Sequence, residues 1–400
     1  MKPIPYGKHN ITKKDIKAVV EVLKSDFITQ GPKISEFEKA FAKYVDSKFA
    51  VAVSSGTAAL HLCAIALSVS NGTKVITSPI TFVASVNCVR YCGGEIVFGD
   101  IDPETFLLDI KSVRKILESA PKGTYSGIIP INFAGRAIKH EEFRELADEF
   151  NLWIIEDSCH SPGGYSIDSK GEKSMCGSGK YAELSIFSFH PVKHIACGEG
   201  GMITTNDKDL YTRLLKLRSH GIERNNDLFQ NSIEDATGGF PSDDYPNWYM
   251  EMQDLGYNYR ISDIQAALGT SQLSEANPRL AMRREIAKRY FEAFKKEKKI
   301  IRQSGWVNGH AYHLYVIQVE NRLGLYNHLH ENLVFSQVHY IPCHLMPYYR
   351  ERGWKKGDRP HSEKYYEQCL SLPIYPTLNL KQQQKIISLI KNFLSFGIKE

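Results

Sequence analysis

The sequence lacks long uncharged hydrophobic runs, and this absence excludes a helical membrane protein. No stretch of its 400 residues approaches the roughly 18 apolar residues needed to cross a bilayer. The opening MKPIPYGKHN also contains no apolar segment of the kind that directs secretion. The eight cysteines are scattered, with no CxxC pair and no Cys/His cluster at zinc-ligand spacing. We therefore expect a cytoplasmic protein with reduced cysteines, no bound metal and no membrane partner.

A strong excess of one charge is also missing. Lys and Arg number 50 against 45 Asp and Glu, and the net charge of +5 is too small to predict a nucleic-acid partner. The charges are nevertheless unevenly placed, because residues 225–254 contain seven acidic and no basic residues, whereas residues 279–302 contain ten basic residues. The acidic segment is expected to be a loop or lid. The basic segment is expected to be a helix whose charges are either solvated or attract a nucleotide diphosphate.

Short runs rich in β-branched residues alternate with helical stretches between residues 49 and 205. The runs are residues 49–53, 74–79, 94–100, 126–133, 152–157, 184–189 and 201–205. Because most of them are apolar throughout, they are typical of strands buried on both faces and predict a mostly parallel sheet covered by helices.

Two domains are predicted from the length and the change of pattern near residue 270. Residues 1–270 are expected to form a large α/β domain that begins with a helical segment. Residues 271–400 are expected to form a smaller α/β domain. In it, residues 312–320 and 335–342 are predicted strands and residues 380–396 a closing helix.

Three of the predicted strands end in polar or glycine-containing turns, where open α/β sheets bind ligands. In the first turn, residues 54–60, small and hydroxyl side chains either approach a phosphate or only cap a helix. In the second, residues 156–160, an Asp after an apolar strand could bind a metal, cap a helix or pair with a buried cation such as a pyridinium. In the third, Lys193 lies between a buried strand and a glycine turn, where desolvation would lower its pKa and activate the amine as a nucleophile.

Six motifs that follow one another along the chain carry a family resemblance. They are SSGTAAL, TSPITFVASVN, EDSCHSPGG, SIFSFHPVKHIACGEGGMITTND, LRSHG and LGYNYRISDIQAALGTSQL. In this order the set resembles the DegT/DnrJ/EryC1/StrS sugar aminotransferases, pyridoxal 5'-phosphate (PLP) enzymes of the aspartate aminotransferase-like fold type I. More narrowly, HPVKHIACGEGG, EMQDLGYNYR and QVHYIP resemble the C4 aminotransferases of pseudaminic acid biosynthesis.

The resemblance implies roles for the matched residues near the cofactor. Lys193 would be the Schiff-base lysine and acid/base, and Asp157 the carboxylate that pairs with the pyridinium nitrogen. Phe82 would stack on the cofactor ring, although by itself it would be interpreted as a core residue. The other implied cofactor contacts are Gly56, Thr57 and Ser188 at the phosphate, and His160 beside the ring, where a purely structural histidine is an open alternative.

The resemblance also implies an obligate homodimer whose active sites are shared between subunits. Asn258 and Arg260 would reach the cofactor phosphate of the neighbouring subunit. The implied nucleotide-sugar contacts, each open to a structural interpretation as well, are Thr29, Gln30, Arg218, His220, His313, His339 and Tyr340. For the α-carboxylate of the amino donor, Arg260 is only suggested.

The implied reaction is a two-stage transamination. L-Glutamate converts the cofactor to pyridoxamine phosphate (PMP) and leaves as 2-oxoglutarate, and a UDP-linked 4-keto-6-deoxy-N-acetylhexosamine is then aminated at C4. A bacillosamine-type or C3-keto nucleotide sugar remains an alternative substrate, because the shape of the pocket sets that choice. A regulatory protein with a degenerate PLP site is disfavoured, because every expected chemical residue is present.

Overall fold

The computed structural model describes residues 2–395, and its largest feature is a seven-stranded sheet. The strands, in chain order, are β1 (Ile4–Pro5), β2 (Phe49–Val53), β3 (Lys74–Thr77), β4 (Glu95–Phe98), β5 (Gly127–Ile129), β6 (Trp153–Asp157), β7 (Tyr165–Ile167), β8 (Lys173–Met175), β9 (Leu184–Ser188), β10 (Gly201–Thr205), β11 (Ile222–Glu223), β12 (Glu251–Met252), β13 (Arg302–Gln303), β14 (Tyr315–Gln318), β15 (Val334–Phe335) and β16 (Cys369–Leu372). The α-helices are α1 (Lys13–Leu23), α2 (Pro32–Val45), α3 (Gly56–Ala66), α4 (Ala84–Tyr91), α5 (Ile110–Glu118), α6 (His140–Phe150), α7 (Lys208–Arg218), α8 (Ile233–Thr237), α9 (Asp263–Ser274), α10 (Ala276–Phe294), α11 (Arg322–Glu331), α12 (Pro347–Arg350), α13 (Pro360–Gln368) and α14 (Leu380–Ser395). No helix within residues 2–395 is both long and apolar enough to span a bilayer.

All of the runs predicted between residues 49 and 205 form strands of this one sheet. Their order across the sheet is β2-β10-β9-β6-β5-β3-β4. The pairs from β9 to β4 are parallel, and only β10 runs antiparallel to its two neighbours. The predicted mostly parallel sheet is therefore confirmed.

Helix α3 explains how the sheet is covered. It is apolar nearly all round because the sheet packs on one side of it and helices α4 and α7 pack on others. It begins where β2 ends, at a turn capped by Ser55, whose side chain accepts a hydrogen bond from the backbone N–H of Ala58. The first turn of α3 is thereby fixed against the carboxyl ends of the strands.

The C-terminal part contains a second sheet, of order β13-β14-β16, packed against α10, α11 and α14. The predicted strand over 312–320 is confirmed as β14, the central strand. The predicted strand over 335–342 is mostly wrong, since it is reduced to β15 and one bridge from Gln337 to Ser371. Side chains replace the strand ladder there: the hydroxyl of Tyr365 donates to the carbonyl of His339, and Pro342 has no N–H to donate.

The boundary proposed at residue 270 falls inside α9, and α10 follows after the single residue Glu275. The domain division into residues 1–270 and 271–400 remains a proposal. Helix α14 accounts for the predicted closing helix as far as Ser395, and the end predicted at residue 396 lies outside the described residues.

The acidic segment 225–254 is an ordered excursion with short elements of its own. It contains α8 and ends at β12, which pairs with β11. The buried carboxylate of Glu251 accepts hydrogen bonds from the backbone N–H groups of Gln230 and Asn231, at 2.8 and 2.9 Å. The acidic residues are therefore partly structural, and the segment predicted as a loop or lid is a folded flap; a role as a lid stays a prediction.

The basic segment contains α10, and its lysines are exposed as the solvated interpretation predicts, but two of its arginines are not. Arg279 and Arg283 are buried. Arg283 donates to the carbonyls of Tyr312 and Ile374, and Arg284 to the carbonyl of His310. These guanidinium groups hold α10 against the segments that precede β14 and follow β16. The solvated interpretation is therefore wrong for Arg279 and Arg283, and attraction of a nucleotide diphosphate by the exposed lysines stays a prediction.

Gly221 lies against Asp254 where the two ends of the flap meet, and this contact leads to a stability prediction. Gly221 has a φ of +70°, and a Cβ there would lie 1.8 Å from the carbonyl oxygen of Asp254, whereas Gly238, with a φ of +66°, has open space around it. We expect Gly221→Ala to lower the free energy of unfolding by about 3 kcal/mol, from backbone strain plus this clash. The matched control Gly238→Ala should cost only about 1 kcal/mol. Denaturant unfolding measures both, and equal losses would show that the flap is not closed at its base.

Candidate active site

A cavity of about 430 Å³ opens at the carboxyl ends of β6 and β9. This is the edge at which mostly parallel α/β sheets bind ligands. The turns that follow β2, β6 and β9 all contribute to its wall, so the three turns selected from the sequence do meet in space. The predicted residues that line it are Gly56, Thr57, Phe82, Asp157, His160, Ser188, Lys193, His339 and Tyr340.

Lys193 lies in the turn between β9 and β10. Its backbone N–H donates to the carbonyl of His190 at 2.8 Å, which fixes the turn and directs the residue into the cavity wall. Desolvation there lowers the pKa of the amine, and the neighbouring Cys159 and Asp157 only partly oppose the shift. A lowered pKa increases the fraction of neutral amine, which is the form that attacks a carbonyl carbon.

Asp157 ends β6 and points into the same cavity. One carboxylate oxygen, Oδ2, accepts a hydrogen bond from the hydroxyl of Ser85 at 2.7 Å, and Oδ1 accepts one from the N–H of Cys159 at 3.1 Å. Within residues 2–395 no basic side chain forms an ion pair with this buried carboxylate. The Lys193 amine is near enough to interact with the carboxylate electrostatically but forms no ion pair with it, so Asp157 can still pair with a cationic ligand such as a protonated ring nitrogen.

The opposite end of the cavity is built for an anion. The N-terminus of α3 begins at Gly56, and the side chains of Thr57 and Ser188 line the cavity beside it. A Cβ added to Gly56 would lie 2.9 Å from the Cβ of Ser188, so only glycine allows these two segments to approach so closely. Free backbone N–H groups and the helix dipole make this a site for a phosphate.

Phe82 and His160 form further parts of the cavity wall. The Phe82 ring is 59% exposed, which is unusual for a core residue and leaves an aromatic face open to a ligand. Burial lowers the pKa of His160 well below its usual value, and the Lys193 amine adds to the shift. The His160 ring stacks on that of His313, with 4.3 Å between the centroids, so His160 is a neutral wall residue and His313 supports it from behind.

The C-terminal part closes the cavity with His339 and Tyr340. The Nδ1 of His339 lies 2.9 Å from the hydroxyl of Ser371, and burial lowers the pKa of His339 to about 3. The hydroxyl of Tyr340 lies 3.4 Å from Nε2 of His160. Both of these imidazoles are therefore neutral hydrogen-bonding groups and not anion-binding cations.

The remaining predicted residues lie apart from the cavity, beside the edge strand β2. Backbone bridges join Thr29 to Ser262, Asn258 to Ser219 and Arg260 to Val53. Gln30 follows Thr29, and His220 is exposed at the start of the flap. The guanidinium of Arg218 donates to Glu38 at 2.6 Å and to the carbonyl of Ala52 at 2.8 Å, so it already has protein partners.

Several cavity residues were not selected from the sequence. They are Tyr6, Thr81, Ser85, Cys159, His190 and Glu199. Ser85 had no clear signal in the sequence, since it is a buried residue of the first turn of α4 whose hydroxyl reaches Asp157, 72 residues away along the chain. Tyr6 had none, since it reaches the cavity only through the pairing of β1 with β15 and a hydrogen bond between its carbonyl and the N–H of Ile374.

Comparisons with known proteins agree with this geometry. Residues 9–391 match the model of the DegT/DnrJ/EryC1/StrS aminotransferase family. This chain belongs to that family. The spore coat polysaccharide biosynthesis protein SpsC of Bacillus subtilis is 34% identical over 400 residues, 98% of this chain and 97% of that protein.

Solved structures of family members share the fold. Helicobacter pylori PseC, an aminotransferase involved in the biosynthesis of pseudoaminic acid, superposes with a TM-score of 0.83 at 28% identity, covering 99% of this chain and 100% of PseC. The putative sugar aminotransferase Spr1654 of Streptococcus pneumoniae, in its PMP form, gives a TM-score of 0.85 at 26% identity, covering 98% and 99%. The same protein is also known in a PLP form. The protein is therefore a PLP-dependent sugar aminotransferase of fold type I.

The residues of the cavity fit PLP. The cradle at Gly56 suits its phosphate, the exposed face of Phe82 suits its ring, and the carboxylate of Asp157, which forms no ion pair among the described residues, suits its ring nitrogen. The Lys193 amine, with its lowered pKa, suits its aldehyde. Together these four features of the chain match the phosphate, the ring, the ring nitrogen and the aldehyde of the cofactor.

Phe82 provides a test that separates cofactor binding from folding. Because the ring is mostly exposed, Phe82→Ala should leave the unfolding midpoint almost unchanged while weakening PLP binding by about tenfold, the loss expected for one aromatic contact. Fluorescence titration of the cofactor-free protein measures the affinity. Phe240→Ala is the matched control, since Phe240 is 76% exposed on the flap and lines no part of the cavity. If Phe82→Ala binds PLP with unchanged affinity, Phe82 does not stack on the cofactor ring.

Proposed function

We propose that this protein transfers the amino group of L-glutamate to C4 of a UDP-linked 4-keto-6-deoxy-N-acetylhexosamine, as a step of pseudaminic acid biosynthesis. The observation that carries the reaction type is that Lys193 and Asp157 share one cavity with a phosphate cradle. The likeness to PseC over the full length supports the choice of pathway. The QVHYIP segment supports it further, because it contributes His339 and Tyr340 to the cavity.

Each cavity residue has a separate proposed role in the reaction. When bound, PLP supplies a conjugated ring that withdraws electrons from the substrate carbon bearing the nitrogen. Asp157 keeps the ring nitrogen protonated, and Ser85 orients the carboxylate by its hydrogen bond to Oδ2. The Nζ of Lys193 removes the proton at the donor carbon and returns one at the sugar carbon. Gly56, Thr57 and Ser188 hold the phosphate, and Phe82 covers the ring face.

The sugar is proposed to enter between the cofactor position and the C-terminal wall. His339 and Tyr340 offer neutral hydrogen-bonding groups there, and the Tyr6 ring lies against His339 with 5.3 Å between the centroids. His160, supported by His313, closes the side of the cavity. This wall would select the configuration of the sugar by shape and by pairing its hydroxyl and acetamido groups.

A second copy of the chain is proposed to complete the site. Asn258 and Arg260, together with Thr29, Gln30, Arg218 and His220, lie outside their own cavity, as expected for residues that serve the neighbouring subunit. Exposed apolar side chains surround them, including Phe27, Ile28, Met252 and Leu255. Such a surface is typical of an interface between subunits. In this dimer Arg260 is the proposed partner of the cofactor phosphate or of the donor α-carboxylate.

We also propose a cytoplasmic location. All eight cysteines are unpaired, and six of them are buried in the packed interior. Unpaired cysteines are usual in proteins of reducing compartments. The location agrees with the use of L-glutamate and a nucleotide sugar as dissolved substrates.

The function is tested by supplying both candidate sugars. The PLP-loaded enzyme and L-glutamate are incubated separately with the L-arabino-configured UDP-4-keto sugar and with its D-xylo-configured counterpart. We expect the first to be aminated at C4 at least about tenfold faster, as NMR of the product would show, because pocket shape discriminates by 1–3 kcal/mol or more.

The controls address the mechanism and the alternatives. Lys193→Ala should retain the fold but lose at least about a thousandfold in turnover, because the group that moves the proton is missing. Amination of only the D-xylo sugar would replace the pseudaminic assignment by the bacillosamine-type alternative. Turnover of Lys193→Ala at the wild-type rate would exclude the mechanism for either sugar.

Sharing of the site between subunits is tested by mixing two inactive variants. In a dimer of one Lys193→Ala and one Arg260→Ala subunit, each site carries one substitution if Arg260 acts on its own subunit, but both substitutions fall in the same site if Arg260 acts on its partner. After denaturation and refolding of an equal mixture, half of the dimers are mixed and one of their two sites is intact. We therefore expect recovery of about a quarter of wild-type activity. Recovery of none, with dimers confirmed by sedimentation, would place Arg260 in its own subunit's site.

A further inference from the structure

A second buried carboxylate, Glu156, lies immediately before Asp157 on β6. Successive residues of a strand point to opposite faces of the sheet, so Asp157 faces the cavity and Glu156 faces away from it. Glu156 is 3% exposed and does not line the cavity. It is not explained by the reaction described above.

Five groups from five separate segments converge on the Glu156 carboxylate. Oε1 accepts from Nδ2 of Asn132 at 2.6 Å, from the hydroxyl of Ser158 at 2.7 Å and from the Nε2–H form of His140 at 2.9 Å, and Oε2 accepts from the hydroxyl of Ser185 at 2.9 Å and the N–H of Gly177 at 3.1 Å. Burial alone would raise the pKa of Glu156, but His140, Ser158 and Asn132 outweigh it and lower the pKa to about 2. The group is a buried carboxylate whose acceptor capacity is filled.

The same arrangement argues against a metal at this position. Ligand atoms of His140, Glu156 and Cys176 lie within 4.8 Å of one another. However, the carboxylate oxygens already accept hydrogen bonds, and Nδ1 of His140 lies 2.7 Å from the hydroxyl of Ser166. Burial also raises the pKa of the Cys176 thiol well above its usual value, which disfavours the thiolate that binds metals. The cluster is a hydrogen-bond network.

Two members of the network also hold the main chain around Asp157. The N–H of Asn132 donates to the carbonyl of Asp157 at 3.0 Å, while its side-chain oxygen accepts from the N–H of Ile138 at 2.8 Å. The N–H of Ser158 donates to the carbonyl of Ile186 at 2.9 Å, which joins the turn after β6 to β9. Both Asn132 and Ser158 are fixed at their side chains by Glu156. The carboxylate is thus connected to Asp157 from both sides.

We propose that Glu156 is a positioning residue for the active site. Its charge aligns Asn132 and Ser158, and through them it sets the place of the Asp157 carboxylate relative to the ring nitrogen of PLP. The inference rests on the proposed role of Asp157. It assigns no direct contact with the cofactor or the sugar to Glu156.

The test compares Glu156→Gln with Ile154→Ala, a variant that is expected to lower the stability of the fold without changing the network. A Gln side chain replaces one carboxylate oxygen by an NH2 group, which must face either the donors of Oε1, such as Asn132, or those of Oε2, such as Ser185. The network therefore loses one of its two acceptor oxygens and its negative charge. We expect PLP to bind about tenfold more weakly, the visible absorbance maximum of the bound cofactor to shift, and kcat to fall by more than KM changes. In the cofactor-free protein, hydrogen exchange should be faster in residues 131–138 and 156–161 than in wild type.

Ile154→Ala is the matched control, because Ile154 is buried on the same strand and face as Glu156 but has an apolar side chain that makes none of the network's hydrogen bonds. It should lower the unfolding midpoint while leaving PLP affinity, spectrum and exchange at 156–161 as in wild type. If Glu156→Gln behaves like Ile154→Ala in these measurements, Glu156 has only a structural role and the proposal is wrong. If Glu156→Gln does not fold, Ser185→Ala replaces it in the test, because it removes only one donor from the network. It should weaken PLP binding about threefold and change the spectrum and the exchange in the same direction.

Asp157→Asn separates this inference from the proposed function. It should lose cofactor affinity and the normal spectrum while the exchange of residues 131–138 stays protected, because the Glu156 network is intact. Wild-type affinity and spectrum in Asp157→Asn would contradict the role of Asp157 and with it the inference. An impaired Asp157→Asn beside a wild-type-like Glu156→Gln would contradict the inference alone.

Discussion

The register between β6 and β9 is the constraint on which the site depends. These parallel strands pair Glu156 with Ser185 and Asp157 with Ile186, and Lys193 follows in the turn after β9. A slip of one residue would exchange the faces, placing Asp157 against the buried donors and Glu156 in the cavity. The apolar residues of both strands resist this slip, since each is buried against a helix layer. The core therefore fixes which carboxylate faces Lys193.

The arrangement separates two charges that would otherwise interfere with each other. Two carboxylates in neighbouring positions repel, and burying both without partners would cost several kcal/mol. Glu156 is satisfied by hydrogen bonds on one face of the sheet, whereas Asp157 retains free acceptor capacity on the other. Only the second is available to a cationic ligand. The cost of burying Glu156 is offset by donors from five segments, which also makes its surroundings rigid.

The sequence was sufficient for the large sheet and for the part of the site that lies on it. Buried parallel strands are apolar throughout, and their carboxyl ends fall at one edge, so the turns at residues 54–60 and 156–160 and at Lys193 could be predicted to meet. The segment 335–342 could not be predicted in the same way. Its apolar and β-branched residues indicate a strand, yet only Gln337 forms a backbone bridge, and His339 is held by the side chains of Tyr365 and Ser371, which are distant in sequence. The same reason explains why Tyr6 was missed, and why the arginines of α10 were interpreted as solvated.

The distribution of cations gives the physical reason for proposing a site built from two chains. A nucleotide diphosphate and the carboxylates of an amino donor need positive partners. Among the described residues that line the cavity, none is an arginine, the imidazoles of His160 and His339 are held neutral, and Glu199 adds a negative charge. The arginines of α10 are used within the fold, and Arg218 is paired with Glu38. With Lys193 proposed to bind the cofactor, a cation from a second copy of the chain would supply the missing positive charge. Arg260, which bridges to the end of β2 in a part of the chain with exposed apolar side chains such as Leu255, is the proposed source of this charge for a second copy.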